Sequence, residues 1–92
     1  MTVVVQIGNS DDKLSQREWS EYVGDIQRVV GRWSEEIHFS GGSSFGAPWQ
    51  NACWVLEVED KRTVPLFAGI VKVRQEYGQE TQKTHVIVSV VA

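Results

Sequence analysis

The chain has 92 residues, of which 41% are hydrophobic and 23% are charged, and its formal net charge is −3. This composition is ordinary for a folded domain and excludes the charge-rich, apolar-poor class of disordered chains. The length suits one domain, and there is no basic run of the kind that a phosphate backbone requires, so nucleic acid is not an expected partner.

Cys53 is the single cysteine, which leaves neither an intramolecular disulfide nor a paired-cysteine metal site. The opening MTVVVQIGNSDD lacks the basic start and long apolar stretch of a secretion signal. No apolar run reaches the roughly 18 residues of a membrane span. These features predict a cytoplasmic protein without a membrane partner.

The first predicted strand runs from Thr2 to Gly8, because its alternate positions are apolar and β-branched. The face expected to be buried holds Val3, Val5 and Ile7. The turn-forming cluster GNSDD follows and ends the strand.

A helix is predicted after Ser15, since Ser15 and Glu18 have the spacing of a capping box. Leu14 precedes the cap, and Trp19 follows at the position of a hydrophobic staple. An apolar stripe at helical spacing is formed by Trp19, Tyr22, Val23, Ile26, Val30 and Trp33. One face of this helix should therefore pack on the core.

Two strands are predicted next, over residues 36–39 and 52–59. In the shorter strand, Ile37 and Phe39 are expected to share a face. In the longer strand the core face is expected to hold Trp54, Leu56 and Val58.

The second helix is predicted within DKRTVPLFAGIVKVRQEYGQ, where Pro65 suits the first helical turn and Gly78 suits a left-handed C-terminal cap. Its expected core stripe is Phe67, Ile70, Val71 and Tyr77. Residues 84–91 alternate again and are predicted as the last strand.

The predicted order is strand, helix, strand, strand, helix, strand, and this order resembles the ferredoxin-like fold. The resemblance implies one α+β domain over residues 1–92, with a four-stranded antiparallel sheet in the order 4-1-3-2 and two helices on one face. It covers the whole chain but is topological, so it implies no activity.

Two further stretches, GNSDDKLSQREW and PWQNACW, are similar to small uncharacterised proteins of actinobacteria and their phages. This resemblance supplies no activity. It implies that a protein partner would be a host or defence protein that the chain inhibits or to which it acts as an adaptor.

The 40–51 segment is the long stretch that has neither helical nor strand spacing. Phe45 and Trp49 are large aromatics in this segment, which either complete the core or are exposed as binding anchors. Gln50 and Asn51 beside them add hydrogen-bonding groups. We therefore expect this segment to recognise a protein partner.

A different hypothesis is that the same segment sequesters a small anionic ligand such as a nucleotide. Its small residues would provide unpaired backbone amides for an anion, and they are Gly41, Gly42, Ser43 and Ser44. However, GGSSFG lacks the lysine of a P-loop and opens no helix.

The uncovered side of the sheet is predicted to carry an apolar patch that suits self-association, and the patch consists of Val4, Val55, Ile87 and Val91. A homodimer would bury it. The alternative is that these residues are isolated exposed aliphatics, which any small protein has.

Catalysis finds little support in the sequence. His38 and His85 are expected on opposite edge strands, roughly 14 Å apart at about 4.8 Å per strand, and Cys53 is expected to be a small buried residue because no cation flanks it. Asp11 and Asp12 are expected to interact favourably with the dipole of the following helix and not to bind a metal. We therefore expect no catalytic residues, no metal and no cofactor.

One enzyme class remains as an alternative, the cofactor-independent oxygenases and isomerases of dimeric ferredoxin-like barrels. These enzymes use a pocket between sheet and helices that is lined by aromatic, Asn and His side chains. The corresponding residues here would be Asn9, His38, Trp49 and Asn51. The assignment is an analogy at the level of the fold.

Overall fold

A computed structural model describes residues 1–9, 14–43 and 50–77, and the backbone of 87–91. The elements are β1 (Thr2–Gly8), α1 (Gln16–Trp33), β2 (Glu36–Gly42), β3 (Asn51–Glu57), α2 (Thr63–Glu76) and β4 (Ile87–Val91), and a short 3-10 turn over Asp60–Arg62 leads into α2. The prediction of an α+β chain is confirmed.

The strands form one antiparallel sheet in the order β2-β3-β1-β4. The central strands β1 and β3 pair along their whole lengths, from Thr2 opposite Glu57 to Gly8 opposite Asn51. This register explains the burial pattern, because alternate residues of both strands reach the same side of the sheet. That side, the covered face, holds Val3, Val5, Ile7, Ala52, Trp54 and Leu56, all of them buried.

The start of α1 follows the predicted capping box. The Glu18 amide donates to Ser15 Oγ over 3.1 Å, and the Ser15 amide donates to Glu18 Oε1 over 3.1 Å. The hydrogen bond from the Ser15 backbone is the main reason that the pKa of Glu18 lies below its usual value. Leu14 and Trp19, on either side of the cap, are both buried. Local sequence therefore determines where this helix begins.

Pro65 lies in the first turn of α2, as predicted, but the core stripe of this helix differs from the predicted one. Its buried residues are Leu66, Ile70 and Val73, which follow the i, i+4, i+7 spacing of one face. Val71 is half exposed, so its assignment to the core was wrong, because it lies off this stripe. The predicted cap at Gly78 lies outside the described residues.

The two helices pack closely against each other over the covered face. A methyl group built on Gly69 would lie 2.8 Å from Val29 Cγ1, so glycine is what permits this approach. At the end of α2, Tyr77 donates its hydroxyl hydrogen to Asp25 Oδ2 over 2.6 Å. Buried residues of both helices join those of β1 and β3 in a single core.

Among the described residues, no helix combines the length and apolar character that crossing a bilayer requires.

Candidate functional site

The described start of the 40–51 segment, residues 40–43, is strand backbone paired with β3 and not an irregular loop. Gly41 and Gly42 are the last residues of β2 and pair with Cys53 and Ala52 of β3. The Ser43 amide donates to the Asn51 carbonyl over 3.0 Å. Strand pairing thus extends further than the sequence spacing indicated and occupies the Ser43 amide, so the expectation that this segment offers unpaired amides to an anion has less support and stays a prediction.

Gly42 is needed where the hairpin closes. A methyl group on its Cα would collide with the backbone oxygen of Asn51. Ser43 then ties the strands together, since its Oγ accepts the Asn51 amide over 3.1 Å. The hairpin end is therefore a tightly fitted unit in which small residues allow the two strands to approach.

Gln50 is buried and has a structural role in the described fold. Its Nε2 donates to Gln16 Oε1 over 2.8 Å, and its Oε1 accepts from Asn9 Nδ2 over 3.0 Å. Asn9 is also buried and exchanges hydrogen bonds with the backbone of Leu14. These amides fasten the end of β1, the start of α1 and the start of β3 together, so the geometry gives Asn9 the role of a clamp and does not place it in a reaction pocket.

A cavity of about 290 Å³ lies between α1 and the β2–β3 hairpin. This α1–hairpin cavity is lined by Trp19, Val23, Gln27, Ser40, Gly41, Gly42, Ser43, Asn51, Ala52 and Trp54. Both ends of the 40–51 segment are thus brought to one site. Gly41, Gly42, Ser43 and Asn51 are the predicted binding residues that line it.

The described lining of the α1–hairpin cavity bears no charged side chain. It combines the rings of Trp19 and Trp54 with the amides and hydroxyls of Gln27, Ser43 and Asn51. Such a mixture of apolar walls and a few polar groups is typical of sites for small molecules. It offers no cation to a phosphate or carboxylate.

Gln27 is held in one orientation by the core. The indole Nε1 of Trp54 donates to Gln27 Oε1 over 2.6 Å, and Trp54 is only 1% exposed. An indole N–H can only donate, so it selects the amide oxygen of Gln27 and turns the amide nitrogen away. None of the hydrogen bonds among the described residues uses that nitrogen, Gln27 Nε2.

The remaining predicted binding residues are Ser44, Phe45 and Trp49, which lie outside the described residues. Whether these aromatics complete the core or anchor a partner stays a prediction. Trp19 and Trp54 were correctly predicted to be buried, and Trp33 packs partly buried against the same core.

On the other side of the sheet, a register shift in β2 places an aromatic ring where none was predicted. Ile37 pairs with Leu56 and Phe39 pairs with Val55, so His38 is the extra residue of a bulge. The prediction that Ile37 and Phe39 share a face was wrong, because the bulge breaks the alternation between them.

Phe39 stands beside Val55 on the open face, the side of the sheet that also carries Val4. The register aligns Phe39, Val55, Val4 and Ser89 in one row across the sheet. Phe39 is 54% exposed, whereas Val4 and Val55 are half-buried. Its ring packs over Gly41, where an added methyl group would lie 2.8 Å from the ring.

The predicted self-association patch is partly described. Val4 and Val55 are direct partners in the register, and the backbone of Ile87 and Val91 lies opposite Gln6 and Thr2, one row to either side. Cys53 also lies on this side and is half-buried, so it is less enclosed than predicted.

One end of the open face is charged. Glu57 Oε2 lies 3.0 Å from the Met1 ammonium, and Glu57 Oε1 accepts from Thr2 Oγ1 over 3.0 Å and lies 3.3 Å from His38 Nε2. The hydrogen bond from the Met1 ammonium is the main reason that the pKa of Glu57 lies below its usual value, with His38 and Thr2 adding to it. His38 is therefore engaged at the open face, away from the α1–hairpin cavity.

The sequence did not identify two residues that the structure places at the candidate sites, Phe39 and Gln27. Phe39 was expected to share a face with Ile37, and only its pairing with Val55 reveals the bulge that separates them. Gln27 was overlooked because a lone amide on a helix resembles a solvent-facing residue. The sequence did indicate where Gln27 lies, because it follows Val23 by one helical turn and therefore stands beside the apolar stripe.

A metal centre does not emerge from the described part of the chain, where no three His, Cys, Asp or Glu side chains lie close enough to hold an ion. Asp11, Asp12 and His85 lie outside the described residues.

Comparison with known proteins bears on the fold. No protein-family model and no curated protein matches the chain. Among solved structures, the fold is similar to that of a hydroxynitrile lyase from Passiflora edulis, with a TM-score of 0.62 over 99% of this chain and 93% of that chain at 11% sequence identity. At this identity the likeness shows a shared fold and nothing about activity.

Proposed function

We propose that the chain is a small ferredoxin-like binding module of the cytoplasm that acts by binding a protein partner and not by chemistry. The observation that supports this most is the exposed Phe39 at the end of an apolar row on the open face. A large aromatic on an exposed apolar surface is typical of an interface anchor. The half-buried free thiol of Cys53 suits a reducing compartment.

The occupant that we propose for the open face is a second copy of the chain. A two-fold contact joins one surface to itself, so the surface must be self-complementary. The apolar row meets this condition, and the charged end holds both signs, because the Glu57 carboxylate lies beside the Met1 ammonium. A self-complementary dimer would bury the patch that single chains expose.

Sedimentation of the purified protein tests this proposal. We expect the protein to be a dimer at about 100 µM. A dissociation constant below this concentration requires only a modest free energy of association. Phe39→Ser should give a monomer with an unchanged circular dichroism spectrum. Val64→Ser is the matched control, since Val64 is 75% exposed on α2 and away from the sheet, and it should remain a dimer.

A monomeric native chain at that concentration would contradict the dimer, and so would a dimer that survives Phe39→Ser. In the first case the open face would be free for a different protein, such as the host or defence protein that the sequence resemblance implies, and Phe39→Ser should then abolish that binding.

A small-molecule site in the α1–hairpin cavity is the second candidate. The observation that favours it is the convergence of Gly41, Gly42, Ser43 and Asn51 on one cavity with two tryptophans. An anionic ligand is less well supported than the sequence suggested, because the described lining has no cation. The likeness to a hydroxynitrile lyase concerns the fold alone, and lyase, oxygenase or isomerase chemistry is not part of this proposal.

A further inference from the structure

The α1–hairpin cavity has a size and wall chemistry that narrow the class of ligand, if the second candidate function is right. A volume of about 290 Å³ is close to the lower end of small-molecule sites and exceeds the roughly 150 Å³ that holds benzene. The ligand would therefore contain one or two rings. A nucleoside triphosphate would extend beyond this space into solvent.

The absence of charged groups from the described cavity walls narrows the class of ligand further. An ionised group that loses hydration against a wall without a counter-charge gains nothing in return. The described walls present aromatic rings, hydroxyls and amides to a ligand, among them those of Trp19, Ser43 and Asn51. They contain no ammonium, guanidinium or carboxylate group. An uncharged ligand matches these walls better than an anion or a cation does.

The amide of Gln27 supplies the polar contact. Trp54 Nε1 occupies Gln27 Oε1 at 2.6 Å, and because Trp54 is almost completely buried, this contact cannot move aside easily. The amide therefore presents its Nε2 hydrogens as donors at the cavity wall. A group held in place by its neighbours loses little entropy when it binds, which favours selective recognition.

We propose that the α1–hairpin cavity binds an uncharged one- or two-ring compound whose hydrogen-bond acceptor pairs with the side-chain amide of Gln27. The apolar body of the ligand would lie against Trp19 and Val23. Gln27 is thus a specificity residue, and Trp54 is the positioning residue that fixes its orientation.

Three simple compounds separate the contributions of ring, acceptor and charge. Acetophenone has a ring and a neutral acceptor, toluene has the ring alone, and benzoate has a ring and a negative charge. Titration of the 15N-labelled protein would be followed at the Gln27 side-chain NH2 and the Trp54 indole N–H, the two groups joined at 2.6 Å. We expect saturable shifts with acetophenone and about tenfold weaker binding of toluene, the factor that one hydrogen bond provides. Benzoate should also bind more weakly, because the described walls offer no counter-charge.

The variant Gln27→Glu tests the donor with little risk to the fold. It keeps an oxygen for Trp54 Nε1 and removes the NH2 group. Acetophenone binding should fall about tenfold or more in this variant. The matched control is Gln75→Glu, which introduces the same charge at an exposed position of α2 and should leave binding unchanged.

The other outcomes are distinct. Equal binding of toluene and acetophenone, tighter binding of benzoate, or unchanged acetophenone binding in Gln27→Glu would overturn the inference while leaving a small-molecule site in place. If none of the three compounds shifts either signal up to its solubility limit, both the inference and the small-molecule candidate fail. The dimer proposal is independent, because sedimentation tests it.

Discussion

The two faces of the sheet are made from the same strands but differ in how they are filled. On β1, Val3 and Val5 are completely buried on the covered face, while Val4 between them is only half-buried on the open face. Three valines in a row thus have two environments. Residue type does not decide burial here, because the side of the pleat on which a residue lies decides what packs against it.

The same comparison on β2 and β3 shows what a bulge changes. Ile37 and Ser40 pair with Leu56 and Trp54 of the covered face, whereas Phe39 pairs with Val55 on the open face. The covered face forms the core of the domain, and the open face carries an exposed aromatic side chain. The apolar residues of the two faces therefore differ in their surroundings: those of the covered face are buried in the core, and those of the open face are at least partly exposed to solvent.

The largest expected effect comes from breaking the covered face. Leu56 is completely buried, so Leu56→Ala should lower the free energy of unfolding by about 2–5 kcal/mol, as cavity-forming substitutions do. Its neighbour on β3 is the control, because Val55→Ala on the open face should cost about 1 kcal/mol or less. Urea unfolding of both variants measures the difference, and equal losses would contradict the distinction between the faces.

Packing against the covered face should also contribute less to the stability of the fold at high pH. Burial raises the pKa of Tyr22 to about 12 from an ordinary value of 10.0. Because the folded pKa is the higher one, folding is unaffected below about pH 10 and loses stability as the pH rises from about 10 towards 12, by up to roughly 1.4 kcal/mol per pH unit.

Urea unfolding across this range should show a steeper loss in the native chain than in Tyr22→Phe. The other alkaline groups are shared by the two proteins, so their contribution cancels in the comparison. Parallel losses in the two proteins would show that ionisation of Tyr22 is not coupled to unfolding.

The smallest expected effect is at the charged end of the open face. Here stability should be lost as the pH falls, whereas the Tyr22 effect appears as the pH rises. The Met1 ammonium is the main cause that lowers the pKa of Glu57. A lowered folded pKa means that the contribution is complete above the unfolded value and is lost as the pH falls through the folded value. Glu57→Gln should flatten the loss of stability in this acidic range, and an identical slope in both proteins would exclude the contribution.

Local signals in the sequence predicted the parts of the fold that depend on near neighbours. The capping box of Ser15 and Glu18 and the alternation of β1 involve residues only a few positions apart, and the structure has both. Val71 was assigned wrongly because the rotation of α2 over the sheet depends on tertiary packing, which selects Leu66, Ile70 and Val73 instead.

The candidate sites were harder to predict for the same physical reason. The placement of Phe39 depends on pairing between β2 and β3, and a bulge leaves no clear mark in the sequence of a single strand. Gly41 and Gly42 suggest irregular backbone by composition, yet both lie in a strand, where Gly42 allows the close approach of β3 and Gly41 leaves room for the Phe39 ring. The role of Gln27 requires Trp54 beside it, 27 positions further along the chain.

The bulge at His38 has a consequence for how this surface could change. Because Ile37 and Phe39 already pair with the adjacent residues Leu56 and Val55, the loss of the His38 codon would restore strict alternation and leave Phe39 on the open face. The side on which the ring lies is therefore set by the pairing of Phe39 with Val55, and the extra residue could be lost in evolution without moving the ring.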